Sequence, residues 1–397
     1  MRSIAVFTKN MDDLDLGVSE LKDKLRDFKL AKNSFGLIFA HSETDFEELG
    51  TRLQKEFDFP IIGASAMSLF SGEEGYAKEG ISFHVFTADD CSFAVGMTEE
   101  YTEDNYKTEI KRTYNSLKKD LGGWRPKLVL TYGVKNSKIP GDAVVDVLDS
   151  VGGGIPIFGG FCSDNFEFNE CCVMLNSKVH RAGLVMVLFG GNIRPVLKGE
   201  FSVDTVADFV EVVTESDKNV VYKLGNKTMV EALLAAGFDL EGEKLLMQFV
   251  GSPFLVTYTT PDGDEIQVVR HLDCIDFEKE AGVFLGSVPK GASIQLAMFS
   301  RKDVARSVAR AIQSAIVDVA NEHKYEYTSA IITSCVSRLM SFSNDIVDET
   351  RGYTSVVPPS IKFSGMYSYG EFCPKVSPAS GKMHNCFHNM TFTFVVL

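Results

Sequence analysis

The chain has 397 residues, 45% hydrophobic and 24% charged, with 54 acidic against 40 basic side chains and a formal charge of −14. That length calls for more than one ordinary core, and the composition is that of a folded chain rather than a disordered one. An acidic balance of this size disfavours non-specific binding to nucleic acid or to an anionic membrane surface, which leaves small molecules and proteins as partners.

The first half repeats itself. The stretch GLIFAHSETDFEELGTRLQKEFDFPIIGASAM reads as a strand, a helix with Phe46, Leu49, Leu53 and Phe57 on one face, and a strand running through Gly63. KLVLTYGVKNSKIPGDAVVDVLDSVGGGIPIFGGFCSDN has the same order, with Val144, Val145 and Leu148 lining its helix. Each copy continues into an apolar strand, GISFHVF or GLVMVLF, and then into a further strand, CSFAVGM or RPVLKGEF. A helix from about Glu103 to Leu121 joins the two. The repeats fall at about 30–100 and 125–195, which makes a first domain of residues 1–195.

In the second half, residues 196–397, short β-branched runs dominate first: FVEVVT, NVVYKLG, LLMQFV, EIQVVRHL, GVFLGSV and SIQLAMFS read as strands. A helix follows from Ser300, with Asp303 completing a capping-box-like start and Val304, Val308, Ile312 and Val319 on its face, to about His323. SAIITSCV then reads as a buried strand feeding a helix near Phe342 to Glu349, and IKFSGMYSYGEF with NMTFTFVVL as a terminal hairpin. The expected class is α/β of mixed α+β character, its sheets covered by helices.

No apolar run reaches the roughly 20 residues that span a bilayer, and the opening MRSIAVFTKNMDD lacks a signal-peptide core, so a cytoplasmic chain is expected. Eight cysteines without a CxxC pair read as reduced thiols. SCVSRLMSF places Cys335 at a strand end and Arg338 about one turn later, where a thiol is acidified and a guanidinium can clamp a carboxylate. Set against that, a buried thiol and an ion-paired arginine are the ordinary reading. His384, Cys386 and His388 alternate, so a strand there would put all three on one face, with Cys373 across the hairpin as a further donor. Histidines leading into a strand are more commonly just hydrogen-bonded, and no metal is expected.

Three sets of residues carry a family resemblance: PIIGASAMSLFSGEEGY, IPIFGGFCSDN, and SCVSR with GMYSYGEFCP and HNMTFTFVVL. Together they resemble FIST domain proteins, with a FIST N-terminal domain over 1–195 and a FIST C-terminal domain over 196–397. The resemblance implies a sensory, signal-transducing protein that binds a small ligand, amino acids being the class usually proposed, and a separate signalling protein acting in trans. It carries ligand-binding roles onto Gly63, Ser65, Gly159, Gly160 and Asp164, and onto Arg338, Gly370, Glu371, Asn389 and Thr391; SCVSR has serine where the family often has glycine. On this reading Tyr369, Glu371, His388 and Asn389 stand beside the Cys335 to Arg338 turn, Arg338 taking a ligand carboxylate and Glu371 its ammonium. No cofactor is expected. One alternative is a haem-binding nitric oxide sensor, since some FIST proteins bind haem, with seven histidines as axial candidates but no CxxCH signal. The other is an enzyme with Cys335 as nucleophile and His388 or His384 as base.

Overall fold

The apolar periods of the chain resolve into one unit used three times: strand, helix, strand, helix, strand, hairpin, strand. The computed structural model describes residues 1–242, 245–299, 301–322, 325–342, 346–354 and 356–397. The first unit runs through strand Arg2–Thr8, helix Leu14–Leu25, strand Asn33–His41, helix Phe46–Glu56, strand Ile61–Ala66, hairpin Leu69–Ser71 with Gly75–Ala77, and strand Ile81–Ala88. The second runs from strand Cys91–Met97 through helices Tyr106–Asp120 and Gly141–Gly152, strands Pro126–Gly133 and Ile157–Phe161, and hairpin Val173–Leu175 with Lys178–His180, to Leu184–Gly191. The third opens on Val196–Phe201 and resumes at helix Arg301–Asn321. It continues through strand Ser329–Cys335, helices Val336–Phe342 and Ile346–Thr354, strand Lys362–Ser368, hairpin Glu371–Val376 with Met383–His388, and strand Thr391–Val396.

Within each unit the last strand lies antiparallel between the first and second, and the third pairs parallel to the second. A parallel pair needs a crossover, and the helices supply it. The hairpins are exchanged in a ring. That of the first unit adds to the third unit's Lys362–Ser368, that of the second to Ile61–Ala66, and that of the third to Ile157–Phe161. Register makes Phe39, Tyr132 and Thr333 equivalent positions. They meet: the Phe39 and Tyr132 rings are 5.0 Å apart, and the Tyr132 hydroxyl lies 3.1 Å from Thr333 Oγ1. One core of buried residues is continuous through all three units.

Between Val196–Phe201 and Arg301–Asn321 an antiparallel β-rich insert runs from Asp204 to Met298 with its own core, including Val221, Phe254, Val268 and Ile294. The mixed α/β class and the N-terminal repeat agree with the sequence reading; the third copy escaped it because this insert splits it. CSFAVGM and RPVLKGEF do not close the first and second units but open the second and third, pairing with Leu184–Gly191 and Thr391–Val396. LLMQFV is helical, Leu245–Gly251, rather than a strand, a six-residue apolar run being compatible with either period. Lys362–Ser368 and Thr391–Val396 flank Ser329–Cys335 on its two sides, and the hairpin of this region is the exchanged one, Glu371–Val376 with Met383–His388. Ser300, His323 and the side chains of Asp303 and Val304 lie outside the described residues; Val308 and Ile312 are buried as expected.

Candidate functional site

Two parallel strand pairs, one in the second unit and one in the third, bring their carboxyl ends together, and a cavity of about 360 Å³ opens there. Ser329–Cys335 delivers Cys335, Val336 and Ser337 to it, and Lys362–Ser368 delivers Ser368 and Tyr369. The turn before the last strand adds Asn389. Lys135 comes from the loop after Pro126–Gly133, and Phe166, Phe168 and Cys171 from the loop after Ile157–Phe161. The insert closes the far side with Val250, His271, Asp273 and Leu285.

The polar groups fall into three sets. At the wall, His271 Nδ1 is 3.0 Å from the Phe249 carbonyl, and burial drives the ring's pKa down to about 4, so the neutral ring donates from Nδ1 and keeps a lone pair on Nε2. That Nε2 is buried with no partner among the described residues, and so is Asn389 Nδ2, whose Oδ1 accepts from the His271 backbone N–H at 3.4 Å. A buried polar group in this state is short of a bond that a ligand can supply. At the mouth, Lys135 Nζ and Asp273 Oδ2 stand 3.9 Å apart, a loose pair with side chains 13% and 37% exposed.

The third set lies behind the wall. Glu371 is fully buried; burial pushes its carboxyl up to about 8, opposed by hydrogen bonds from Ser368 Oγ at 2.7 Å, the Thr391 backbone N–H at 3.2 Å and the Cys335 thiol. Burial, with Glu371 beside it, also raises the Cys335 thiol, although the backbone of Met390 and Ser337 bonds to its sulfur. Both acids are therefore held neutral at pH 7, which suits a hydrogen-bonding floor better than a thiolate nucleophile.

A loop of unusual backbone forms the aromatic side. Phe166 and Phe168 adopt φ of 67° and 57°, a left-handed conformation that bulky residues seldom hold without support. Asp164 provides it: its carboxylate accepts from the backbone of Phe168, Asn169 and Glu170 at 3.0–3.1 Å and from the Tyr369 hydroxyl at 2.5 Å. Burial would raise this carboxyl, but those hydrogen bonds outweigh it and hold the pKa below the ordinary aspartate value. Phe168 stacks on Tyr369 with centroids 4.8 Å apart.

Of the residues singled out in the sequence, Cys335, Tyr369 and Asn389 line the cavity, with Glu371 and Asp164 directly behind. Arg338 goes elsewhere. Its guanidinium is fully buried on the far side of the strand, with Nε 3.0 Å and Nη2 2.9 Å from Glu349 Oε1, and it does not line the cavity. Glu349 in turn accepts from the Tyr367 hydroxyl at 2.5 Å and from Ser334 Oγ at 3.2 Å. An arginine one turn after the strand end points back into the layer between sheet and helix, not across the strand ends. Gly63 and Ser65 serve the sheet: Gly63 faces Met174, and Ser65 Oγ accepts from the Cys172 backbone at 3.0 Å. Gly159, with φ of 139°, lies so close to the neighbouring strand that a Cβ would fall 1.7 Å from the Thr131 carbonyl oxygen. Gly160 abuts Thr333 and Ser368, and Gly370 passes over the Phe387 ring.

His388 stands opposite Glu371 in the hairpin, its Nε2 2.8 Å from the Cys373 carbonyl, while His384 bonds Asp264 at 2.7 Å. Among the described residues no group of three or more His, Cys, Asp and Glu side chains is arranged to hold a metal ion. Lys135, His271 and Asp273 were not singled out in the sequence. Lys135 was within reach of the repeat, because register makes Val134 the counterpart of Cys335. His271 and Asp273 carry no such signal, being brought in by the insert.

Residues 34–227 match the FIST N domain and residues 229–374 the FIST C domain. No curated protein matches the chain. Among the described residues no helix is long and apolar enough to cross a membrane.

Proposed function

Because the chain belongs to the FIST family, whose domains are small-ligand sensory modules, we propose that it senses an amino acid or a similar small carboxylate in the cavity at Cys335, Tyr369 and Asn389. The observation that carries this reading is the pairing of a charged mouth with an unsatisfied wall. Lys135 and Asp273 are too far apart to share a proton well but are placed to take the carboxylate and the ammonium of one zwitterion. Asn389 Nδ2 and His271 Nε2 offer one donor and one acceptor deeper in, and Val250, Leu285 and Val336 leave an apolar space for a side chain. Glu371, held neutral behind Ser368, is a hydrogen-bonding support in this account rather than the ammonium partner.

The response passes to a separate protein. Supporting this is the insert, which closes one side of the cavity and also exposes Val210 and Val212 on one face of its long strand Asp204–Asp217, where a partner could read a change in the cover. Haem is the weaker reading. His271 supplies a suitable nitrogen, but the cavity, at about 360 Å³, lies near the small end of the range for ligand pockets and favours a compact ligand over a tetrapyrrole.

The experiment is a thermal-shift and calorimetric screen of the full chain against amino acids, simple carboxylates, amines and hemin. Zwitterions should raise the melting temperature and hemin should give no Soret band of a bound complex. Lys135→Ala and Asp273→Asn should each weaken binding about tenfold or more, as expected from losing one charge-assisted contact of about 1.5–3 kcal/mol. A screen in which none of these compounds binds, or variants that bind as tightly as the parent, would remove the cavity from consideration.

A further inference from the structure

A second cavity, of about 250 Å³, opens at the carboxyl end of Asn33–His41. In the first unit this strand holds the place that Ser329–Cys335 holds in the third, and register makes His41 the counterpart of Cys335. The two cavities share a wall. The segment after Asp164 turns Phe166, Phe168 and Cys171 to the first cavity and Glu170 and Cys172 to the second.

The second cavity is lined differently. Ser42 and Thr44, each 5% exposed, have buried hydroxyls with no hydrogen-bond partner among the described residues. Sequence and fold give a reason for hydroxyls at this place: they precede helix Phe46–Glu56, yet its N-cap is Asp45, whose carboxylate accepts from the Glu48 backbone at 2.8 Å. Ser42 and Thr44 are thus spare to the cap. Around the rim stand the exposed side chains of Glu47, Glu170 and Arg181. Glu43, also at the rim, accepts from Asn165 Nδ2 at 3.1 Å and so ties the shared loop to this cavity.

We propose that this cavity is a second binding site, for a small zwitterion such as a short amino acid, held by Ser42, Thr44 and Arg181 at its carboxylate and by Glu47 and Glu170 at its ammonium. Two hydroxyl donors and a guanidinium favour an anionic group in the cavity. The Glu47 and Glu170 carboxylates, exposed at the rim, favour a cationic group beside it. Arg181 among them works against a bare metal cation. None of these residues lines the first cavity, so the inference stands or falls separately from the function proposed above.

The test uses the full chain carrying Lys135→Ala and Asp273→Asn, which disables the first cavity, titrated calorimetrically with glycine and L-serine and with methylamine and acetate as half-ligands. The zwitterions should still bind, at least tenfold more tightly than either half-ligand. Adding Ser42→Ala with Thr44→Val should weaken them at least tenfold while leaving the melting temperature unchanged or raised, because the hydroxyls removed have no partner to lose among the described residues. Arg181→Gln, a change of an exposed side chain, should weaken the zwitterions and acetate but not methylamine. The proposal is overturned if no zwitterion binds once the first cavity is disabled, or if neither set of changes alters binding. A Ser42, Thr44 variant that melts earlier yet binds normally would overturn it as well, by showing the hydroxyls to be structural.

Discussion

Asp164→Ala tests whether one carboxylate holds the wall common to both cavities. Three backbone N–H groups from 168–170 and the Tyr369 hydroxyl converge on it, with the Cys171 thiol as a weaker donor. A hydrogen bond to a charged acceptor is worth about 1.5–3 kcal/mol, but these do not sum. Phe168, Asn169 and Glu170 are exposed, so water replaces most of what their N–H groups lose, and Tyr369 keeps the Asp164 carbonyl at 2.8 Å. What remains is the left-handed backbone of Phe166 and Phe168, which costs about 1–3 kcal/mol per residue and relaxes once the carboxylate is gone. A net loss of about 2–3 kcal/mol in closing the loop corresponds to roughly 30- to 150-fold more frequent opening. Amide hydrogen exchange over residues 165–172 should accelerate by that factor, with the strands at 126–133 and 329–335 unchanged and ligand affinity reduced. The pH dependence follows from the depressed carboxyl: its contribution is complete above the unfolded aspartate pKa and fades as pH falls through the lower folded value, so acid should loosen the same amides in the parent. Exchange and affinity both unchanged in Asp164→Ala would refute the argument, because the strained loop would then be held by its packing alone.

Glu349→Ala should destabilise the fold by about 3–5 kcal/mol in a denaturant titration, since it removes a buried carboxylate that accepts from two nitrogens of the fully buried Arg338 guanidinium. Arg338→Lys, which loses the two-nitrogen contact, should lower the melting temperature and leave ligand affinity of the folded protein intact; normal stability with lost binding would contradict the assignment. Glu371 has a folded pKa raised to about 8, so the native state holds a proton that the unfolded chain releases near pH 4.5. Stability should fall as pH rises between those values, and Glu371→Gln should flatten that slope; an unchanged slope would place the titration elsewhere.

The sequence by itself determined the periodic features of this protein. Strand–helix–strand order, the apolar helix faces and the N-terminal repeat follow from local rules, because a residue's side of a helix or strand is set by its neighbours three, four or two positions away. It also marked Cys335, Tyr369, Glu371 and Asn389 as one neighbourhood, since strand ends, polar residues in apolar surroundings and family resemblance coincide there. Only the tertiary structure decided which strands share a sheet. Leu69 pairs with Met366, and Glu371 with Gly160, across more than two hundred residues, and no local period encodes a hairpin given to another unit. The same holds for charge. Arg338 looked like a ligand clamp by its spacing, but a guanidinium is committed by whichever carboxylate the fold buries beside it, and Glu349 on the following helix is that carboxylate. Lys135, His271 and Asp273 come from two separate parts of the chain and meet because the insert folds back over the strand ends; their proximity is a property of packing, which the order of residues does not spell out.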